Sequence, residues 1–336
     1  MIKKLLILTL ILIIAGACAM GILYLNFRSW ANRPMKAKGQ DKLFTVAQGQ
    51  GLKQTARALE QEGLVSDALR FTLLARLDKK AKLIKAGEYF FSTTMTPTQI
   101  LNQMVEGRVH LYRLTIPEGF DLDQIAAAVA AAGLGSKKPF LATARDPQTA
   151  RHYGIDADTV EGYLFPDTYY FPHGLDSLAI IATMVKQFRS AFNPAWLQRA
   201  KELGMSVHQV VTLASIIEKE TGAPQERALI SSVFYNRLKR GMRLESDPTV
   251  IYGIPDFDGN LTRRDLETYT PYNTYMIKGL PPGPIASPGA ASLKAALYPA
   301  DTHFLYFVSK KDGTHKFSTT IKEHIAAVRK YQLGKK

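Results

Sequence analysis

Cysteine is almost absent from this chain: among 336 residues only Cys18 carries a thiol. A disulfide framework and any Cys-based zinc site are thereby excluded, and redox compartment cannot be read from cysteine pairing. Acids are also scarce, 29 against 43 basic residues, for a formal charge of +14. Six of those fourteen charges fall in residues 1–42, where Lys3, Lys4, Arg28, Arg33, Lys36, Lys38 and Lys42 face only Asp41. Downstream there is no basic stripe with interleaved aromatics, no zinc-finger spacing and no RNA-binding signature, so no nucleic-acid partner is expected. H-E-x-x-H, a phosphate-cradling glycine loop and G-x-S-x-G are missing too, which removes the metalloprotease, nucleotide and α/β-hydrolase readings. No metal and no cofactor are expected, and His315 and His324 are read as structural.

The length suggests about two folded units, and 46% hydrophobic with 21% charged residues excludes a disordered or collagen-like chain. There is one long apolar run. Leu5 to Leu25 holds 21 residues without a charge, which at about 1.5 Å per residue spans the roughly 30 Å of a bilayer core. A cleaved signal would end at a small-residue site, whereas this run continues past Ala15-Gly16-Ala17 through Ile22, Leu23 and Leu25. We expect an uncleaved anchor, with Cys18 a small apolar residue in lipid. Lipoprotein processing at Cys18 is disfavoured by Ala15, where a larger aliphatic residue usually stands. Charge counts flanking the span leave its orientation open, and the basic arm after it suits anionic lipid headgroups.

The soluble part reads as mixed α+β. A strand at LFTVAQ, a helix carrying Leu52, Ala56 and Leu59, a second helix from Ser66 as N-cap, and a strand over Leu83 to Phe91 form a small α+β module that resembles a LysM-like fold, with a plain α+β spacer as the competing reading. Thr96-Pro97 should open a helix with Ile100, Leu101 and Met104. A strand at Leu111 to Ile116, the tripeptide Pro117-Glu118-Gly119 and an alanine-rich helix follow, and 134–160 has no regular pattern. The expected division is a leader at 1–4, a transmembrane helix at 5–25, a basic linker at 26–42, the LysM-like subdomain at 43–108, a connecting segment at 109–155 and a catalytic domain at 156–333.

The strongest site candidate lies in SVHQVVTLASIIEKE, Ser206 to Glu220. On a helix of about 100° per residue, Ala214, Val211 and Val207, four, seven and eleven residues before Glu218, share its face to within about 40°. The helix therefore places a carboxyl where its pattern asks for a hydrophobe. A buried, unpartnered carboxyl is held partly neutral, and a neutral acid can protonate a leaving oxygen, as glycoside cleavage requires. The competing reading is a salt bridge to Arg227, Arg237 or Arg243. Pro224 should open a second helix, making a hairpin with Glu218 near its loop, and Asp247-Pro248 reads as N-cap and N1 of a short element.

Two aromatic and polar stretches, Glu161 to Tyr170 and Tyr272 to Gly289, suit a sugar cleft. From them and the short element between we take Glu161, Tyr163, Asp247, Tyr252, Asn273 and Tyr275 as candidate substrate-binding residues. Leu280 to Gly289 should be a rigid loop. The chain ends in a hairpin, LYFVS and HKFST, and a helix with a Thr320/Glu323 capping box.

EGYLFPDTYYF, SIIEKET, VFYNRLKRGM, SDPTVIYG and YNTYMIKGLPPGPI, in this order, resemble the endolytic murein transglycosylase family (MltG, YceG-like) over residues 40 to 333. The resemblance implies a bitopic inner-membrane protein with its soluble part in the periplasm, or outside the membrane in Gram-positives. It also implies a LysM-like subdomain before a catalytic domain with a helical active-site hairpin. The essential acid of the family matches Glu218. The implied reaction is non-hydrolytic cleavage of the β-1,4 bond between N-acetylmuramic acid and N-acetylglucosamine inside a peptidoglycan strand. In it Glu218 serves first as acid, then as base toward the muramyl C6 hydroxyl, leaving a 1,6-anhydro end. Glycan strands, membrane lipid and peptidoglycan synthases are the implied partners. Glu245 departs from the glutamine usual in the family. The alternatives are a hydrolase of the same bond, with Glu220, Glu245 or Asp247 as second carboxylate, and an anchored glycan-binding scaffold without activity.

Overall fold

The structure, a computed structural model, describes residues 2–334 and divides into two compact units, 2–112 and 113–334. In the first, α1 (Ile2–Ala31) is apolar on every side over Leu5 to Leu25 and long and apolar enough to cross a membrane. Strand β1 (Asp41–Val46) is followed by α2 (Leu52–Gln61), α3 (Ala68–Leu77), the antiparallel partner strand β2 (Gly87–Ser92) and α4 (Pro97–Glu106). Asp41 stands opposite Ser92 and Val46 opposite Gly87, a register that turns Phe44, Val46, Tyr89 and Phe91 to one face. Those rings pack on Leu59, Phe71, Leu74, Ile100, Leu101 and Met104, and Phe27, Trp30 and Ala31 at the end of α1 close the same core.

Local chemistry explains the ends of these elements. Thr96 and Gln99 form a capping box with Pro97 in the first turn of α4, and Gly107 ends that helix with φ 74°. The expected cap at Ser66 is displaced by one residue: Asp67 accepts from Arg70 N and caps α3, while Ser66 Oγ accepts the indole N–H of Trp30 at 2.8 Å. The expected strand over Leu83 to Phe91 starts only at Gly87, because Lys80 O accepts from Leu83 N and holds that stretch in a turn.

In the second unit β3 (Tyr112–Thr115) pairs with β4 (Thr168–Phe171). Between them run α5 (Leu122–Ala131), α6 (Lys137–Ala144) and α7 (Pro147–His152). The stretch 134–160 is thus more regular than its pattern suggests. Its helices are too short to show a period, but Asp146 and Pro147 supply an N-cap and a preset φ. Segment 113–155 belongs with the second unit, since α6 packs on α8 (Ser177–Ala191) and Leu122 N donates to Glu161. The chain continues through α9 (Pro194–Glu202), α10 (Val207–Glu220), α11 (Arg227–Lys239), α12 (Asp247–Tyr252), α13 (Arg263–Glu267) and α14 (Ala290–Leu297). It closes with the antiparallel hairpin of β5 (Tyr306–Ser309) and β6 (His315–Ser318) and then α15 (Ile321–Tyr331), whose Thr320/Glu323 capping box forms as expected.

Helix α10 is the axis of this unit. Ser206 caps it, every residue from Val210 to Ile217 is buried, and α9, α11, α12 and α14 pack around it. The irregular segment 280–289 lies along it, with Ile285 N donating to Ser215 Oγ at 3.0 Å. In the first unit, Leu101→Ala removes a fully buried side chain and should cost about 2–5 kcal/mol. Hydrogen exchange in urea should show a lower midpoint for amides of α2 and α4, with those of α10 unmoved.

Candidate active site

Glu218 stands in the last turn of α10 with 6% of its side chain exposed. Its burial agrees with helical phase, but its surroundings do not match the unpartnered carboxyl expected there. Oε2 accepts the backbone N–H of Gly289 at 2.9 Å, and Oε1 lies 3.5 Å from Arg227 Nη2. The salt bridge and the candidate site are therefore the same place. Arg227 opens α11 after the single 3-10 turn Pro224–Glu226, so the helical hairpin forms with Pro224 just outside its second helix. Arg227 Nε donates to Ser292 Oγ at 3.2 Å, which fixes the plane of the guanidinium.

A second carboxyl, missed in the sequence, meets the same guanidinium. Glu118 Oε2 is 4.0 Å from Arg227 Nη2, and its side chain is half exposed. Burial first, then the charge of Glu218, raise the Glu118 carboxyl above its ordinary range, and Arg227 opposes them. The turn presenting it is pinned to the proline loop: Gly119 N donates to Ser287 O, and Ser287 N donates to Phe120 O. Lys219 Nζ adds a bond to Gly119 O at 3.2 Å. Gly119 has φ 79°, a conformation glycine adopts without strain. A Cβ at Gly289 would overlap the Glu118 carboxylate, so glycine at 289 is what lets the second acid in. Glu118 lies 100 residues from Glu218, and no periodicity links them; an acid inside Pro117-Glu118-Gly119 was the available sign.

Four of the six other candidates gather in two pairs, neither bonded to Glu218, and Tyr163 and Asn273 stand apart from both. Glu161, 4% exposed, accepts Leu122 N and Tyr252 OH, each at 3.1 Å, and its Oε1 has no hydrogen-bond partner. Burial pushes its carboxyl up to about 8. With Tyr252, Lys219 and Ile285 it lines a cavity of about 890 Å³ beside the Glu218 turn. Tyr275 OH donates to Asp247 at 2.6 Å. Asp247 is the first residue of α12 rather than its cap, because Ser246 holds the N-cap position. Ser246 Oγ in turn donates to Glu220, which burial pushes up to about 7. Tyr163 is buried and its OH meets His208 Nδ1 at 3.1 Å. Asn273 is fully buried, with Nδ2 donating to the carbonyls of Asp265, Leu266 and Thr268; it clamps its own loop. Glu245 accepts from Arg237 Nη1 at 2.9 Å. Among the described residues no three His, Cys, Asp or Glu side chains gather to hold a metal ion.

The model of the YceG-like family matches residues 44–330. The chain belongs to this family. YceG-like relatives include an endolytic murein transglycosylase of Bacillus subtilis, 36% identical over 306 residues, covering 86% of this chain and 84% of the relative. Another, of Streptococcus pneumoniae, is 30% identical over 79% of this chain and 53% of its own length. A crystal structure of a YceG-like protein from Listeria monocytogenes aligns with TM-score 0.60 and 35% identity over 86% of this chain and 99% of that one. All site residues described above fall inside the YceG-like region.

Glu161 generates a pH prediction. Its carboxyl keeps its proton in the fold to about pH 8, whereas an unfolded glutamate loses it near 4.5. Between those values the native state binds more protons, so stability falls as pH rises, by at most about 1.4 kcal/mol per pH unit for one group. Thermal melts from pH 5 to 8 should show this fall, and Glu161→Gln should flatten it to the residual slope that Glu220 leaves up to about pH 7.

Proposed function

We propose that this protein is an endolytic murein transglycosylase in which Glu218 carries the proton transfers. The observation that supports this most directly is the carboxyl at the buried end of α10, held by Arg227 and the Gly289 N–H beside a second acid. The relatives' names supply the reaction class. The bond between C1 of N-acetylmuramic acid and O4 of the next sugar breaks as Glu218 gives its proton to O4. The muramyl C6 hydroxyl then attacks C1, its proton passes to Glu218, and a 1,6-anhydro ring closes. One carboxyl thus gives and regains one proton, and no water is consumed.

Glu118 and Arg227 set the charge around Glu218. With both acids ionised around one guanidinium the cluster carries a net negative charge, and one proton neutralises it. We assign to Glu118 the role of second acid facing Glu218 across the Arg227 guanidinium, its own carboxyl raised by burial and by the charge of Glu218. Glu161 with Tyr252, and Asp247 with Tyr275, would wall the glycan cleft, with aromatic faces for sugar rings and polar groups for hydroxyls. Helix α1 would anchor the chain as a single pass, N-terminus inside and both units outside the cytoplasmic membrane. The β-α-α-β unit would act as a LysM-like module, and the reach of an anchored enzyme would confine it to new glycan strands beside the synthases.

Glu218→Gln keeps the shape and removes the transferable proton. It should lower cleavage of purified uncrosslinked strands by about 10³-fold or more with Tm held, since general acid–base groups contribute about 10²–10⁴-fold. A variant retaining full activity would overturn the assignment. Gly289→Ala should displace Glu118 while leaving the 289 backbone, at φ −75°, unstrained. Turnover should fall by about 10–100-fold, the scale for small misplacements near reacting groups, again with Tm held.

A further inference from the structure

Helix α3 carries a face that the fold of its own unit does not use. Leu69, Leu73 and Leu77 stand 83%, 46% and 55% exposed, while Phe71, Leu74 and Ala75 on the other side are buried in the core. At about 100° per residue the three leucines cover an arc of about 80°, with Arg76 about 20° beyond one edge and Arg70 about 20° beyond the other. No carboxylate stands on this face. Asp67 and Asp78 sit at the two caps and pair with Arg70 and Arg28. Leucines bordered by arginines, without acids, match a helix lying in a membrane interface, apolar groups in the acyl boundary and guanidinium groups at the phosphates.

The same unit holds the two ends of α3 against the end of α1. Arg28 Nη1 reaches Asp78 at 3.3 Å, the Trp30 indole donates to Ser66 at 2.8 Å, and the Arg70 guanidinium lies 6.0 Å from the Trp30 ring centre. Ser66 and Arg70 mark the start of α3 and Asp78 its end, about 15 Å apart for a ten-residue helix. Both ends meet one turn of α1, so α3 crosses α1 rather than running along it. That turn lies only about 5–8 Å beyond Leu25, the end of the charge-free run. With α1 along the bilayer normal, α3 lies in the plane of the interface. Its buried side faces the core, its leucines face away from it, and Lys79 and Lys82 continue the exposed basic band.

We propose that α3 is a second membrane contact, its Leu69-Leu73-Leu77 face seated in the headgroup region of the bilayer that α1 crosses, with anionic phospholipid as the favoured partner. This rests on α1 being a membrane span and is independent of the chemistry at Glu218. It would hold the first unit at a fixed height and tilt, where the single helix alone would leave it free to swing.

The test uses the full chain with Cys18→Ser and one new cysteine at a time, Leu69→Cys, Leu73→Cys, Leu77→Cys, Lys53→Cys on exposed α2, or Leu12→Cys within the span. Each is labelled with an environment-sensitive fluorophore and reconstituted in phosphatidylethanolamine and phosphatidylglycerol vesicles. Quenchers attached near the lipid headgroups should quench labels at 69, 73 and 77 at least about twofold more than the label at 53, as expected for a face buried about 5–10 Å into the boundary. Replacing phosphatidylglycerol by phosphatidylcholine should reduce the difference. Labels at 69, 73 and 77 as wet as that at 53, with the label at 12 in lipid, would overturn the proposal alone. A label at 12 in water would remove the span and this contact together. Circular dichroism checks that each exposed-site variant is folded.

Discussion

The site in the second unit is organised around one buried carboxyl at the end of a hydrophobic helix. Removing a charge from water costs several kcal/mol unless partners replace the solvent. For Glu218 those partners are the Gly289 N–H and the Arg227 guanidinium, and each constrains a further part of the chain. Arg227 must open α11 and keep Ser292 in reach; Gly289 must end the proline loop at the head of α14; and the Pro117-Glu118-Gly119 turn must close against that loop. Four segments thus meet at this one side chain, those of Gly289 and Glu118 coming from 71 and 100 residues away in sequence.

The acids of the unit differ in their surroundings. Glu161 and Glu220 lie in low-dielectric surroundings without a cation in contact and hold their protons to about pH 8 and 7. Glu226 is buried against His315, and Glu245 sits on Arg237. Glu218 is buried and shares the Arg227 guanidinium with a second acid, Glu118, and the acid–base role proposed for it rests on that arrangement.

Much of this was legible in the sequence, and the reasons for the exceptions are physical. Helical phase finds Glu218 because α10 is long enough for its period to be unambiguous. The cap at Ser206, the Thr96-Pro97 start and the last hairpin follow from local hydrogen-bond chemistry and appear where expected. The helices α6 and α7 were invisible because six to eight residues cannot display a period. Glu118 escaped because its meaning comes only from a turn folding against a loop about 170 residues away. Asn273 illustrates the converse: a polar residue in an aromatic segment looks like a sugar contact, yet its amide is spent on three carbonyls.

The central claim is that the C6 hydroxyl of the substrate, and not water, replaces the leaving oxygen at C1. Mass spectrometry of fragments released from uncrosslinked glycan strands in ¹⁸O-labelled water tests this directly. Internal fragments ending in 1,6-anhydromuramic acid and free of label are the predicted result. Labelled reducing ends would contradict it, and would make the Glu118 and Glu218 pair an acid and base acting on water.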